Sequence, residues 1–430
     1  MDMFLYYLKL SKHNLKRHKL FFILMITTLA VGVAVLLANL AILKVMSSDP
    51  IPEKSDKIFS VNMTTWPEKN DNNSEPLHIL RYRDAMHILK SDIPTYSLAH
   101  YASQVYTRNV ESKSLTRFSA ETRATTSDFF ELTNAPFEFG GTWTNENAND
   151  IVIGADLNQK LFAGVNSIGK SVEIGKQVFR VVGVLKPWSL KPLFYHATER
   201  RAFNQTDDLY APVETALTNN WGISARTSST ERFKDASDTR DKNVFYMQAF
   251  VQLDNAQQKA QFQNYLDSYS QSLKDAGEHP FPINNKLYDV NQWLDKNKVV
   301  DQKILAFAFA TVLFLAVCIF NASSLLLARY HSAKFETGLR RAVGASKKHV
   351  FYQGAVESLI IGSCCAALAL ILGWLFLKFS LTLFPYLSDS ASFDSGLVIM
   401  GICIALVTSF LSSLYPLIQA SNSSLSAQLK

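Results

Sequence analysis

The chain has 430 residues, and its 43 Lys and Arg against 37 Asp and Glu give a formal net charge of +6. Hydrophobic residues make up 48% of the sequence, but they concentrate in four runs that lack Asp, Glu, Lys and Arg, at residues 21–43, 304–328, 358–377 and 396–418. Each run approaches or exceeds the roughly 20 residues that span a bilayer. This pattern excludes an ordinary soluble protein. It also removes the need for a nucleic-acid partner, because much of the basic excess flanks these runs.

Residues 1–20 are predicted to be a cytoplasmic basic leader, since basic residues beside an apolar run stay on the inner side of the membrane. The basic residues are Lys9, Lys12, Lys16, Arg17 and Lys19. The apolar run that follows is longer than the about 7–15 apolar residues of a signal peptide, and no A-x-A cleavage pattern follows it. We therefore predict a retained first transmembrane helix at residues 21–43, after which the chain emerges on the far side of the membrane.

Residues 44–303 are predicted to form a large α+β periplasmic domain. Strand patterns occur at residues 57–63 and 243–253, and helix patterns occur at residues 82–89 and after Asp254, which is predicted to cap its helix. Two such strand and helix pairs flanking an insert predict a ferredoxin-like part that is split between residues 44–125 and 240–303. Residues 126–239 are predicted to be a β-rich insert.

One motif in this segment, GVNSIGKS at residues 164–171, satisfies the Walker A expression of nucleotide-binding loops. A nucleotide-binding loop follows a strand and opens a helix, whose N-terminus faces the phosphates. Here a helix-like DLNQKLFA precedes the glycines and a strand-like VEIGKQVFRVVGV follows them. The order is reversed, so we predict that Gly164 and Gly169 shape a turn and that Lys170 binds no phosphate.

The sequence offers few other groups for chemistry. Its four cysteines all lie within the apolar runs, which favours packing as small buried groups over disulfides or metal sites: Cys318, Cys364, Cys365 and Cys403. The nine His residues show no H-E-x-x-H spacing, and no G-x-S-x-G motif is present. We predict no catalytic, cofactor-binding or metal-binding residue in this chain.

The other apolar runs predict three further transmembrane helices, at residues 304–328, 355–377 and 396–418. The loop 329–354 carries six Lys or Arg residues and is predicted to be cytoplasmic, whereas the loop 378–395 carries one Lys and is predicted to be periplasmic. The tail 419–430 returns to the cytoplasm. The predicted fold class is thus an α-helical membrane protein with four transmembrane helices and a large α+β periplasmic domain between the first and second.

Three polar residues in or beside these spans carry separate predictions. Asn39 and Asn321 could face a transport path, but a lone intramembrane Asn more often bonds a neighbouring helix, and we favour that interpretation. Glu357 is predicted to pair with Lys347, Lys348 or a partner helix. The run of small residues 362–367 favours close helix contact.

The cytoplasmic loop 329–354 also contains an amphipathic helix pattern. Phe335, Leu339 and Val343 recur every fourth residue, and the opposite face is basic. Such a helix would lie flat on the cytoplasmic membrane face, where a partner protein could bind it. The smaller predictions are that Glu336 pairs with Arg340, that Gly344 ends the helix, and that Ser346 caps the next one.

The run ETGLRRAVGASKKHV at residues 336–350 resembles the cytoplasmic loop of FtsX-type ABC transporter permeases. Members of that family carry a similar E-x-G-x-R-R-A-x-G-A-S run before a helix that opens with an acidic residue, here Glu357. About ten matched positions in order make this motif specific. The segments near Phe129 and at 137–141, 151–162, 167–187 and 208–213 are similar to the periplasmic core domain of MacB-type permeases, and the closing Tyr415-Pro416 fits as well.

The resemblance implies that the loop is a coupling helix that docks on a separate cytoplasmic ATPase dimer. ATP and magnesium are then expected only on that partner. It also implies a second permease chain, identical or different, in the inner membrane, with a periplasmic adaptor and an outer-membrane channel as further partners and lipid around the helices. The residues expected to couple to the ATPase are Phe335, Glu336, Leu339, Arg340, Arg341, Val343, Gly344, Ala345, Ser346 and Glu357.

Export of peptides, toxins or other small compounds from the periplasm is the function that the resemblance favours. Release of lipoproteins from the inner membrane is the near alternative. A membrane-anchored sensor, whose outer domain binds a ligand and whose basic loop signals inward, is the alternative of another class.

Overall fold

A computed structural model describes residues 2–66, 75–113, 115–146, 148–300, 302–344, 346–383, 387 and 391–422. The chain divides into two compact units. The helical unit comprises Met1–Ser47 and Val300–Lys430, and the sheet unit comprises Ser48–Val299.

The helices and strands are numbered here in chain order. The α-helices are α1 (Asp2–Arg17), α2 (Lys19–Met46), α3 (Tyr82–Leu89), α4 (Phe129–Thr133), α5 (Ala155–Phe162), α6 (Val213–Thr218), α7 (Ala256–Asp275), α8 (Val290–Lys296), α9 (Gln302–Ser332), α10 (Lys334–Ala342), α11 (Lys347–Leu383) and α12 (Ser395–Asn422). The strands are β1 (Ile58–Asn62), β2 (Leu80–Arg81), β3 (Tyr96–Asn109), β4 (Phe118–Thr125), β5 (Phe137–Gly140), β6 (Asp150–Ile153), β7 (Ser171–Ile174), β8 (Gln177–Leu185), β9 (Leu209–Pro212), β10 (Ser228–Ser229), β11 (Val244–Gln252) and β12 (Lys286–Asp289). Two 3₁₀ helices span Phe194–Glu199 and Ser237–Thr239.

Four helices of the helical unit, α2, α9, α11 and α12, are long and apolar enough to cross a membrane. This confirms the four predicted apolar helices. The helices extend beyond the uncharged runs, and α11 in particular begins at Lys347. The backbone hydrogen bonds continue past the last apolar residue, because a helix does not need an apolar surface outside the bilayer core.

The apolar helices pack closely where their residues are small. A Cβ added at Gly362 on α11 would lie 3.2 Å from Ser409 Cβ on α12, which confirms the close contact predicted for the small-residue run. Asn39 on α2 donates a hydrogen bond to Thr311 Oγ1 on α9 at 3.3 Å, as predicted. Asn321, in contrast, is exposed on this chain and has no hydrogen bond among the described residues, so its bond to a neighbouring helix stays a prediction.

The cysteines do not all behave as predicted. Cys318 and Cys365 are buried in the helical unit, whereas Cys364 and Cys403 are exposed on it. The latter two thiols lie on outward helix faces, so they are not small buried groups within the chain.

The described strands of the sheet unit form one twelve-stranded sheet, with the main order β12-β1-β11-β3-β4-β9-β6-β8-β5. Strands β12, β1, β11 and β3 are antiparallel neighbours. Helix α3 lies between β1 and β3 in the chain, and α7 lies between β11 and β12. These strands and helices make the split ferredoxin-like arrangement that the sequence predicts.

The sheet has a core on each face, because successive side chains of a strand point to opposite faces. Ala99 and Val251 belong to a core that includes α3, α5, α6 and α7. Leu98 and Phe250 belong to a second core that includes α4, α8 and the 3₁₀ helix Phe194–Glu199. The sheet is continuous into the predicted insert, because β4 pairs with β9 in parallel.

One predicted cap in this unit is wrong. Helix α7 is capped by Asn255, whose side chain accepts from the backbone N–H of Gln258 at 2.9 Å, and not by Asp254. Asp254 lies one residue too early, and its carboxylate accepts hydrogen bonds from Thr95 and Gln252 instead.

Candidate docking site

Helix α10 has nine residues, and a glycine follows its C-terminal end. It begins after Ala333 and ends before Gly344, whose φ of +114° lies in the region that favours glycine. Ser346 then caps α11, where the backbone N–H of His349 donates to Ser346 Oγ at 3.3 Å. Both boundary residues were predicted from the sequence.

The three predicted apolar residues lie exposed in this part of the chain. Phe335 is 62% exposed, Leu339 is 51% exposed and Val343 is 83% exposed. Val343 follows the last helical residue, so the apolar row continues from α10 into the turn. Large apolar side chains exposed together indicate a surface that another molecule covers.

The charged residues around this row include an ion-pair contact with α1. Glu336 lies 3.7 Å from Arg17 of α1. The predicted pair of Glu336 with Arg340 falls outside the described residues, since the side chain of Arg340 is not among them, and Ala345 is not described either. Arg341 is half-buried on α10.

A cavity of about 480 Å³ lies between α1, α10, the C-terminal end of α9 and the N-terminal turns of α11. Leu339 and Val343 line it together with groups that the sequence analysis missed, among which are Tyr6, Tyr7, Asn14, Tyr330, His349 and Gln353. The sequence did contain a pattern that indicates helix α1 and its inward face. Tyr7, Leu10, Ser11 and Asn14 recur at helical spacing, and they are the buried or half-buried side of α1.

A buried ion pair between Arg329 and Glu357 forms part of the cavity wall and joins α9 to α11. The Arg329 guanidinium also lies over the ring of Phe22 on α2, 4.5 Å from the ring centroid. Of the three partners predicted for Glu357, the structure thus has one on another helix, α9, and neither Lys347 nor Lys348. Those lysines precede Glu357 on the same helix by nearly three turns, about 15 Å along the axis.

The Walker A segment is a turn, as predicted. It lies between helix α5 and strand β7, and Gly164 and Gly169 have φ values of +76° and +81°. Their backbone N–H groups donate to Asn158 O and Val181 O, so neither amide points to open space for a phosphate. The Lys170 ammonium lies over the ring of Phe162 at 5.0 Å.

Within the described residues, no group of three or more His, Cys, Asp or Glu side chains could hold a metal ion. The surface on α10 and the neighbouring cavity offer apolar side chains, phenols, cations and the carboxylates of Glu336 and Glu357. This arrangement is suited to binding a partner, and we refer to α10, Val343 and the cavity together as the docking site.

Two family models match the chain in series. The model of the MacB-like periplasmic core domain matches residues 22–269, and the model of the FtsX-like permease C-terminal region matches residues 308–425. The second match contains all of α10, α11 and α12 and most of α9.

Among curated proteins, the chain is similar to the macrolide export ATP-binding/permease protein MacB of Bdellovibrio bacteriovorus, with 24% identity over 273 residues. The match covers 63% of this chain and 37% of that protein, so the chain spans little more than a third of that relative.

Among solved structures, the periplasmic region of MacB from Actinobacillus actinomycetemcomitans is 15% identical, with 58% of this chain and 96% of that chain covered and a TM-score of 0.36. The extracellular domain of the noncanonic ABC-type transporter YknZ from Gram-positive bacteria is also 15% identical, with 53% and 99% covered and a TM-score of 0.34. TM-scores of 0.36 and 0.34 do not establish a shared fold.

The family assignment therefore depends on the sequence models. The first alone covers more than half of the 430 residues, and the second covers α10 and Val343. Proteins of this kind are permease components of ABC transporters and are not catalytic themselves. The chain belongs to the FtsX/MacB-type permease family.

Proposed function

We propose that this chain is the permease subunit of a MacB-like ABC transporter in the inner membrane. In this proposal both termini and α10 are cytoplasmic, and residues 44–303 are periplasmic. A separate ATPase dimer binds and hydrolyses ATP with magnesium, and two permease chains transmit the resulting motion to their periplasmic domains. The cargo is a peptide, toxin or other small compound, in line with the macrolide export named for the curated relative.

The observation that carries the proposal is the exposed apolar row on α10 within an otherwise basic segment. A loop that only fixed the topology would need its basic residues but not Phe335, Leu339 and Val343. Covering these side chains with a groove on the ATPase would remove their exposed apolar surface from water, which is favourable. The basic residues would orient the partner more than they strengthen binding, because exposed ion pairs contribute only about 0–1 kcal/mol.

Motion of α10 has a short route into the apolar helices. The backbone N–H of Ala333, just before α10, donates to Arg329 O at the end of α9. Arg329 in turn forms the buried ion pair with Glu357 of α11. A force applied to α10 would therefore reach α9 directly and α11 through a buried contact. Helix α11 packs along both α2 and α12, so all four apolar helices are connected.

The test uses the Leu339→Asp variant, which places a charge in the centre of the apolar row. We expect it to insert normally and to lose co-purification of its partner ATPase, together with transport. Arg340→Glu alone should have a smaller effect. Full ATPase binding and full transport by Leu339→Asp would contradict the proposal. A chain that neither binds nor changes the activity of any ATPase would favour the sensor.

A further inference from the structure

The sheet unit contains a buried cluster of four charged or chargeable side chains around His196, outside the docking site. Arg123 lies on β4, His196 and Glu199 lie on the 3₁₀ helix Phe194–Glu199, and Asp207 precedes β9. Arg123 is fully buried, and His196 and Asp207 are each 4% exposed. The cluster fastens the segment 194–207 to the sheet. The permease function proposed above makes no use of it.

Both ring nitrogens of His196 face carboxylate oxygens. Nδ1 lies 2.7 Å from Glu199 Oε2, and Nε2 lies 3.2 Å from Asp207 Oδ1. A carboxylate can only accept hydrogen bonds, so both contacts are satisfied only when both nitrogens carry a proton. A neutral imidazole would turn one lone pair toward a carboxylate at hydrogen-bonding distance. The geometry thus requires the imidazolium form.

The neighbouring Arg123 guanidinium does not change this conclusion. Its Nη2 lies 2.9 Å from Nδ1 and 2.5 Å from Nε2 of His196. The in-plane directions of the two ring nitrogens diverge, so one atom close to both lies over the face of the ring. Arg123 therefore does not occupy the position of either N–H, and its Nε donates to Asp207 Oδ2 at 3.1 Å.

With His196 protonated, the buried charges balance. Arg123 and His196 supply two positive charges, and Glu199 and Asp207 supply two negative charges. His100 on β3 is neutral, because its Nδ1 faces Arg123 Nη1 at 3.1 Å and its pKa is held well below the usual value by burial and by Arg123. Loss of the His196 proton would leave one buried negative charge without compensation, which is costly in a low-dielectric site.

The other groups facing the cluster do not supply that charge. The hydroxyls of Tyr195 and Tyr210 are buried, and burial raises the pKa of both well above the usual value, so they stay neutral. For His196, burial and Arg123 lower the pKa, but Asp207 and Glu199 outweigh them, and the pKa is raised. The charged form therefore persists above the pH at which a free histidine loses its proton.

We propose that the segment 194–207 is a pH-sensitive clasp, closed on the sheet while His196 carries two N–H groups and loosened when His196 loses one of them. The stability that the His196 proton contributes is fully present below the ordinary histidine pKa of 6.5. It is lost as the pH rises through the higher pKa that His196 has in the folded chain. The clasp is thus firm in a mildly acidic periplasm and looser in an alkaline one.

The test is hydrogen exchange of peptides covering residues 194–207, measured on the full chain in lipid nanodiscs from pH 6 to 9 and corrected for intrinsic exchange rates. In the wild type we expect the opening constant to increase by up to about tenfold per pH unit between the ordinary histidine pKa and the higher pKa of His196 in the folded chain, which is the slope of a one-proton linkage, and to level off above it. Peptides of β11 should show no such slope.

The Glu199→Gln variant distinguishes opening caused by the loss of the His196 proton from a general loosening of the sheet unit at high pH. A glutamine amide can donate to Nδ1 of a neutral imidazole, so the closed segment no longer needs the second proton, and exchange should be flat between pH 6 and 9 within about twofold. The matched control is Glu121→Gln, which removes the exposed pair with Arg201 nearby and should keep the wild-type slope.

The His196→Gln variant provides a second test, because glutamine at position 196 does not titrate between pH 6 and 9. Its exchange should also be flat. A flat wild-type profile would overturn the proposal, as would a wild-type slope that persists in either Glu199→Gln or His196→Gln. None of these outcomes bears on ATPase docking, so the pH-sensitive clasp can be refuted without refuting the permease function, and the reverse also holds.

Discussion

Truncation of Phe335 tests the docking site in quantitative terms. Its side chain is 62% exposed, so the rest is already covered within the chain and cannot contribute to docking. Full burial of a phenylalanine contributes about 1.5–3 kcal/mol. The exposed part scales this to about 1–2 kcal/mol, so Phe335→Ala should weaken ATPase binding by about 5- to 30-fold.

The assay is the dissociation constant of the purified ATPase for the full chain in nanodiscs, measured for wild type and Phe335→Ala. The matched control is Phe307→Ala on α9, because Phe307 is 59% exposed but lies within an apolar span. We expect Phe307→Ala to bind as the wild type does. Binding of Phe335→Ala within twofold of wild type, with the chain folded, would refute the assignment of α10 as the contact surface.

Three further predictions concern buried charges and the turn at residues 164–171. Glu357→Gln leaves Arg329 buried without its partner, which should cost about 3–5 kcal/mol and lower the melting temperature of the chain in detergent, whereas Arg329→Met with Glu357→Leu should recover most of the loss. Lys170→Ala should leave transport and ATPase activity of the complex near wild type, and a loss of nucleotide binding would contradict the turn. For Glu199, burial raises the pKa, but Arg123 and His196 outweigh it and lower the pKa to about 2. The sheet unit should therefore lose stability as the pH falls from about 4.5 toward 2, visible in tryptophan fluorescence melting curves, and equal melting at pH 5 and pH 3 would contradict this.

Much of the fold could be predicted because its signals are local. Helix α3 matches the predicted residues 82–89, and β1 and β11 lie within the predicted strands 57–63 and 243–253. The residue pattern of each of these elements is contained in a short window, although β1 and β11 are buried on both faces, so strand pairing was not needed to find them. The cap of α7 was misplaced by one residue, because Asp254 and Asn255 are both good capping residues and only the backbone conformation distinguishes them.

The features that were missed depend on residues far apart in the chain. Glu357 pairs with Arg329, 28 positions away on a different helix, and the sequence, which left Lys347, Lys348 and a partner helix open, could not identify that residue. Arg123 and Asp207 are 84 positions apart, and no pattern in either segment indicates the other. The cavity behind α10 also required knowing where α1 lies. Tertiary packing, not local propensity, creates these sites.

The central claim is that the exposed row on α10 contacts the ATPase, and site-specific photocrosslinking in native membranes tests it most directly. A photoreactive amino acid is placed at Leu339, which is 51% exposed, and for comparison at Leu313 on α9, which is 53% exposed within an apolar span. The account predicts that position 339 crosslinks to the ATPase and that position 313 does not. Absence of an ATPase crosslink at position 339, in membranes where the two proteins co-purify, would contradict it.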